Sequence, residues 1–161
     1  MKAVVTPQTI WKNPIHFLAY GLGSGAAPIA PGTAGTLAAI PFYLICQEWP
    51  LSYYLILLLV MTVFGIWICD VTAKDAGVHD HPGIVWDEFT GYFITMTLAP
   101  TGFIWVVIGF ILFRLFDIWK PWPISWVNNN VMGGWGIMVD DILAAILAWG
   151  VLQGLAWLLV Y

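Results

Sequence analysis

Charge is what this sequence lacks. Only 9% of its 161 residues are Asp, Glu, Lys or Arg, while 61% are hydrophobic. Soluble domains carry roughly 25% charged residues. So few charges cannot coat a water-facing surface, which excludes an ordinary soluble globule and predicts one small membrane domain spanning residues 1–161. Basic residues are scarcest of all, five against nine acids for a net charge of −4, and that excludes a nucleic-acid partner. Cysteine is nearly absent. Cys46 and Cys69 sit at the ends of apolar segments that place them near opposite faces, so no disulfide is expected and both read as small buried apolar side chains. Residues 1–14 contain no apolar stretch of the kind a signal peptide needs, and none is expected there. Nucleophile motifs are missing too: no Cys-x5-Arg loop, no Asp-x-Asp, no Gly-x-Ser-x-Gly elbow. Without a covalent nucleophile, hydrolytic chemistry falls to metal-activated water. Internal repeats and low-complexity tracts are also lacking.

What is present is an ordered distribution of the few charges. All five basic residues, all three histidines and eight of nine acids fall in residues 1–36, 70–88, 114–120 and 133–141. Apolar segments separate these stretches: 36–46, 51–69, 89–99, 103–113 and 142–161. The segments 51–69 and 142–161 approach the ~20 residues needed to cross a ~30 Å hydrocarbon core; the others are short. If each segment crosses or half-crosses, the chain runs up, down, up, down, up. All four polar stretches then share one face, and Glu48 alone lies on the other. Positive charge marks the cytoplasmic side, so Lys2, Lys12, Lys74, Arg114 and Lys120 predict a cytoplasmic polar face. Eleven Trp suit a bilayer interface. Gly65, Ala144, Ala145 and Ala148 are expected to serve close helix packing.

Four stretches carry candidate chemistry. Residues 21–36 hold five glycines and two prolines before a helix expected to start near Thr33. Two readings stay open here, a flexible linker or an anion-binding loop with free backbone N–H groups, with Thr33 a candidate N-cap. No Walker A ending follows. In residues 70–88, Asp70 and Lys74 are spaced to pair across one helical turn. Asp80 stands in a turn between His79 and His81, where zinc would lack further ligands. Asp87-Glu88 directly precedes an apolar run. These acids could complement a helix dipole, but adjacent carboxylates at a membrane boundary are costly unless a hard cation such as Mg²⁺ binds them. Arg114, Asp117 and Lys120 recur every three residues, which suits either a salt-bridge ladder or two phosphate-binding cations beside a metal-binding acid. Asp140-Asp141 is expected to open the last membrane helix, the two side chains about 100° apart.

These runs resemble the phosphatidylglycerophosphatase A family. The likeness rests on Gly23-Ser24-Gly25 with Pro31-Gly32-Thr33, on Val78-His79-Asp80-His81 through Ile84-Val85-Trp86-Asp87-Glu88, on Phe113-Arg114 through Asp117 to Lys120-Pro121-Trp122-Pro123-Ile124, and on Gly133-Gly134 through Gly136-Ile137-Met138 to Asp140-Asp141. It runs from about residue 12 to the C-terminus. The resemblance implies an all-helical membrane bundle in the bacterial inner membrane, with Mg²⁺ as cofactor and phosphatidylglycerophosphate as substrate. Its reaction removes the terminal phosphate to give phosphatidylglycerol. The residues expected to carry it are Asp80, Asp87, Glu88 and Asp141 on metal, Asp117 and Asp140 beside them, Arg114, Lys120 and Lys74 on phosphate, and Ser24 and Thr33 at the loop or headgroup. A rival from another class, a cation carrier or channel subunit using the same carboxylates, predicts acids inside the spans on both sides of the midplane.

Overall fold

A computed structural model describes residues 10–78 and 81–160. Among these the chain is helical without strands: α1 (Pro14–Ala19), α2 (Pro31–Cys46), α3 (Leu51–Ala76), α4 (Trp86–Thr95), α5 (Phe103–Trp119), α6 (Ile124–Asn130) and α7 (Gly133–Val160), with a 3-10 turn at Ser24–Ala26. Helix ends follow local chemistry. Asn13 caps α1 by accepting the Ile15 N–H at 3.0 Å, and Pro14 occupies the first turn, where no N–H is needed. Gly77, at φ 71°, stops α3 in the left-handed conformation that glycine tolerates.

At 1.5 Å per residue, α3 and α7 are about 39 and 42 Å long, more than a ~30 Å hydrocarbon core. Only 28% of the apolar window of each is buried against the rest of the protein. Ile56, Leu59, Val63, Trp157 and Leu158 instead point outward. A soluble core helix would bury most of such a face, so this is a membrane-associated protein.

Helix α7 is the hub, packing on α3, α4, α5 and α6. Its inner stripe is small: Ala144, Ala148 and Ala156 are buried at helical spacing with Leu152, and Ala145 lies beside them. Backbones can therefore approach closely, the usual solution where hydrocarbon solvent gives helices no hydrophobic drive to associate. Gly65 plays the same part on α3, since a Cβ there would come within 2.8 Å of Trp86 and Met138 side-chain atoms.

Helix direction alternates. Tyr54 donates to the Phe93 carbonyl at 2.8 Å and Trp86 Nε1 to the Met61 carbonyl at 3.0 Å, so α3 and α4 run antiparallel. Gly91 abuts Phe113 and Gly109 abuts Met96, which sets α5 antiparallel to α4. Trp149 and Gln153 of α7 both donate to the Thr97 carbonyl just beyond α4. Gln47 and Trp49 share a cavity with Leu98 and Ala99, so the α2–α3 and α4–α5 connections meet at the end of the bundle opposite the acid pairs.

Boundaries differ from expectation in two places. Helix α2 begins at Pro31, after a left-handed Ala30, so Thr33 is inside its first turn rather than at the N-cap. Asp87 and Glu88 do lie at the start of a helix, in the first turn of α4. Helix α7 starts at Gly133, so Asp140 and Asp141 stand two turns into it rather than at its opening. Apolar content alone could not place these starts, because the glycine-rich and polar residues before each apolar run continue the helix.

Candidate metal and phosphate site

Three carboxylates meet where α4 and α7 cross. Asp87, Glu88 and Asp141 each offer an oxygen, and these oxygens lie within 4.8 Å of one another. All three side chains are buried. Asp87 Oδ1, Glu88 Oε2 and Asp141 Oδ2 are shielded from solvent and have no hydrogen-bond partner. Buried carboxylate oxygens without partners are expensive, and three carboxylates packed together add mutual repulsion. This oxygen-only donor set fits a hard divalent cation. Gly91 makes the crossing possible: its missing side chain admits the Phe113 ring, and its Cβ position is 3.5 Å from the Asp141 carbonyl.

Around this triad the remaining charges interlock. Arg114, near the end of α5, reaches Asp117 at 2.5 Å and Glu88 at 3.6 Å. Its Nε is buried without a partner. Lys120 ends α5 in a left-handed conformation that turns its side chain back toward the bundle. It ion-pairs with Asp140, donates to Asn128 Oδ1 of α6 at 3.0 Å, and lies 3.8 Å from Asp117. Burial alone would pull the Lys120 ammonium down, but the carboxylates of Asp140, Asp141 and Asp117 raise it above the ordinary lysine range, so it stays charged. Five carboxylates thus face two cations at this site. The imbalance again points to a bound cation as the missing partner.

The salt-bridge ladder Arg114–Asp117–Lys120 is therefore present, and it is built into the same cluster as the acid triad. Other expected site residues lie elsewhere or act differently. Lys74 extends from the end of α3, exposed, and pairs with Asp70 at 2.5 Å. Asp70 in turn accepts the Gly134 N–H at 3.1 Å, stapling α3 to the start of α7. Ser24 donates to the Gly21 carbonyl at 2.8 Å and closes its own loop. Thr33 is half-buried in the first turn of α2. His79 and Asp80 fall outside the described residues. His81 Nδ1 accepts the Gly83 N–H at 3.1 Å and sits 2.9 Å from the Tyr20 hydroxyl, holding the segment that leads into α4.

The glycine-rich loop is a packed part of the structure. Gly25 lies against the Gly83 backbone and Gly35 against Val85, while the Val85 N–H donates to the Ala19 carbonyl at 2.9 Å. The loop thereby clamps the residues just ahead of Asp87-Glu88. Two residues outside the expected site set also matter. Asn128 fixes Lys120; its signal was the polar run 128–130 in an otherwise apolar chain. Gly32 lies directly over Glu88 Oε1, and a Cβ there would also approach the Arg114 guanidinium to 3.0 Å. Gly32→Ala should therefore push both side-chain tips aside. We expect turnover to fall by about 10²-fold, the scale of a ~1 Å misplacement, with little change in melting temperature. Measuring kcat/KM beside a thermal melt checks this.

Neither cysteine belongs to the acid triad. Cys46 and Cys69 are both buried, and no disulfide joins them. Cys46→Ser and Cys69→Ser should each retain turnover, and loss of activity in a folded Cys69→Ser protein would restore a thiol nucleophile.

Comparison with known proteins converges on one family. The sequence model described as "Phosphatidylglycerophosphatase A" matches residues 17–156. An Escherichia coli (strain K12) protein of that name is 49% identical over 152 residues, covering 94% of this chain and 88% of the relative. Its Haemophilus influenzae namesake is 45% identical over 138 residues, covering 84% and 85%. A Bacteroides thetaiotaomicron protein named as a candidate phosphatidylinositol-3-phosphatase is 35% identical over 147 residues, covering 86% and 91%. No solved structure shows a significant match. On these matches the chain belongs to the phosphatidylglycerophosphatase A family.

Proposed function

We propose that the chain hydrolyses the terminal phosphomonoester of phosphatidylglycerophosphate, yielding phosphatidylglycerol and inorganic phosphate, with Mg²⁺ as cofactor. The observation that carries this reading is the buried triad Asp87, Glu88 and Asp141, with its unpaired oxygens, set beside Arg114 and Lys120. The carrier reading loses ground on the same geometry. Among the described residues, the acids other than Glu48 gather toward one end of the bundle, within about two turns of a helix end, whereas an ion path needs them on both sides of the midplane.

The chemistry divides among named residues. Asp87, Glu88 and Asp141 would hold the cation. When bound, a divalent cation supplies Lewis-acid stabilisation of phosphoryl oxygens and lowers the pKa of bound water. Arg114 presents a fork and an unsatisfied Nε to the phosphoryl oxygens. Lys120 adds a second positive charge, as a mainly electrostatic phosphoryl transfer requires. Asp117 and Asp140 hold these two cations in register. A water oxygen bonds to phosphorus, the bond from phosphorus to the glycerol oxygen breaks, and that oxygen leaves as an alcohol after taking a proton. The water's proton passes to a site carboxylate.

Phosphate release by the purified protein from phosphatidylglycerophosphate, with phosphatidylinositol 3-phosphate as comparison, tests the substrate. Activity should vanish in excess EDTA and return with Mg²⁺; full activity after exhaustive chelation would reject the cofactor. The orientation follows from the positive charges: the site faces the cytoplasm of a bacterial inner membrane. Externally added thiol reagent should label Glu48→Cys in intact cells and spare Lys74→Cys and Lys120→Cys. Labelling at position 120 from outside would overturn that orientation.

A further inference from the structure

Four exposed tryptophans stand on the chain that turns from α5 through α6 into α7. Trp119, Trp122, Trp126 and Trp135 are each more than half exposed. Trp119 is the last residue of α5, and Trp135 lies in the first turn of α7. Arg114 lies five residues before Trp119, and Asp140 five residues after Trp135. On each helix the indole therefore stands about 7.5 Å along the axis from a residue of the ion-pair cluster, on the side of the helix end. Trp119 also closes an apolar stripe, since Ile104, Ile111, Leu115 and Ile118 are exposed at helical spacing along α5. Helix α6 turns Ile124 and Val127 inward and leaves Trp126, Asn129 and Asn130 exposed. Between them, Asn128 accepts from Lys120 Nζ at 3.0 Å, which ties α6 to the site. Lys120 is the one ionisable side chain from 118 to 135, and Asp140 holds it.

We propose that α6 and the four indoles around it lie in the headgroup zone of the bilayer and moor the site end of the bundle there. The partner is a lipid surface. The docking stands on the membrane association of the bundle and is independent of the phosphatase reading. Continuity argues for lipid, because the exposed stripe of α5 runs along the apolar flank and ends at Trp119. Side-chain chemistry argues for the depth. Bare indoles are costly in water and bare amides in hydrocarbon, and the headgroup zone accepts both. With Lys120 already held by Asp140, attachment comes from aromatic partition rather than from attraction to anionic lipid.

The test uses full-length protein in phosphatidylcholine vesicles, whose headgroups carry no net charge. Trp126→Cys and Asn129→Cys place nitroxide labels on the outer face of α6, and Asn129→Cys keeps every tryptophan. Ile111→Cys supplies a reference about 12 Å further along α5 from its Trp119 end. Both native cysteines are buried, and parent protein taken through the same labelling gives the blank. Collisions with oxygen report hydrocarbon, and collisions with a water-soluble nickel chelate report water. The label at 111 should meet oxygen alone. Labels at 126 and 129 should meet both, at a depth about 5–10 Å into the boundary between headgroups and acyl chains. Raising NaCl from about 0.1 to about 1 M should leave that depth unshifted. Water-like collision rates at both α6 positions would overturn the proposal, and so would labels there as deep as the one at 111. Exclusion of both reagents would mean that protein, such as a second copy of the chain, covers α6, and would reject the lipid assignment. Release of both labels into water at high salt would reject aromatic partition. Phosphate release enters none of these readouts, so a failure of the phosphatase reading is a separate result.

Discussion

Asp141→Asn should reduce phosphatidylglycerophosphate hydrolysis by orders of magnitude while the protein still folds and inserts, because it removes one anionic ligand from a cation site worth several kcal/mol of transition-state stabilisation. Asp87→Asn should behave alike. The two differ in what else they can do. Asp87 lies in the first turn of α4, where a carboxylate also complements the helix dipole for roughly 0.3–1 kcal/mol. Asp141 lies two turns into α7, beyond the reach of that effect. It is buried at 3% exposure without a helix-dipole reward, which makes it the cleaner test. Stability should reveal the same role with opposite signs. In EDTA, Asn at position 141 relieves repulsion among the buried acids, so the variant should melt no lower than the parent. Adding Mg²⁺ should raise the parent's melting temperature by mass action and move the variant's much less. Near-normal turnover of both variants at limiting Mg²⁺ would place the metal elsewhere, with Asp80 and Asp117 the remaining acids to examine.

Arg114→Lys should cost roughly 10²–10³-fold in kcat/KM, the scale of losing one preorganised electrostatic group in a dry site. The charge is kept; the fork is lost. Arg114 spans Asp117 and Glu88 from one guanidinium, and its Nε remains for a third oxygen. An ammonium cannot present that planar set of donors. Arg114→Gln removes the charge as well and leaves Glu88 and Asp117 buried with less compensation. That variant should lose about 3–5 kcal/mol of stability in addition to activity. Parallel kinetics and chemical denaturation separate the two outcomes. Equal turnover of Arg114→Lys and the parent would show that the arginine serves only the salt-bridge ladder.

Much of this arrangement was legible in the residues. Charges confined to four stretches required them to share one end of the bundle, because charge is tolerated in a membrane protein only at an interface or in a protected interior. The spacing of 114, 117 and 120 left a ladder as one of two readings, and that ladder is observed. Small residues at 65, 144, 145 and 148 foretold the tight packing. The glycine-rich loop was ambiguous for a physical reason. Glycine is used both where a chain must flex and where two backbones must touch, and sequence cannot tell these apart. Here Gly25 and Gly35 touch Gly83 and Val85, so the loop is a clamp. Lys74 was equally ambiguous, and its exposed pairing with Asp70 takes it out of the acid cluster.

By itself, then, the sequence determined the class of the protein, the apolar segments, the single polar end and the residue types gathered there, since hydrophobic transfer and the cost of burying charge act on composition and order alone. Tertiary structure decided which acids meet. Asp87 and Glu88 are 54 and 53 residues from Asp141 along the chain. Only the crossing of α4 with α7 at Gly91 brings their oxygens within 4.8 Å, and only the approach of α2 at Gly32 closes the site from above. Such meetings depend on helix rotation and on which backbones can touch. Those are set by packing across many side chains at once, and no local pattern carries them.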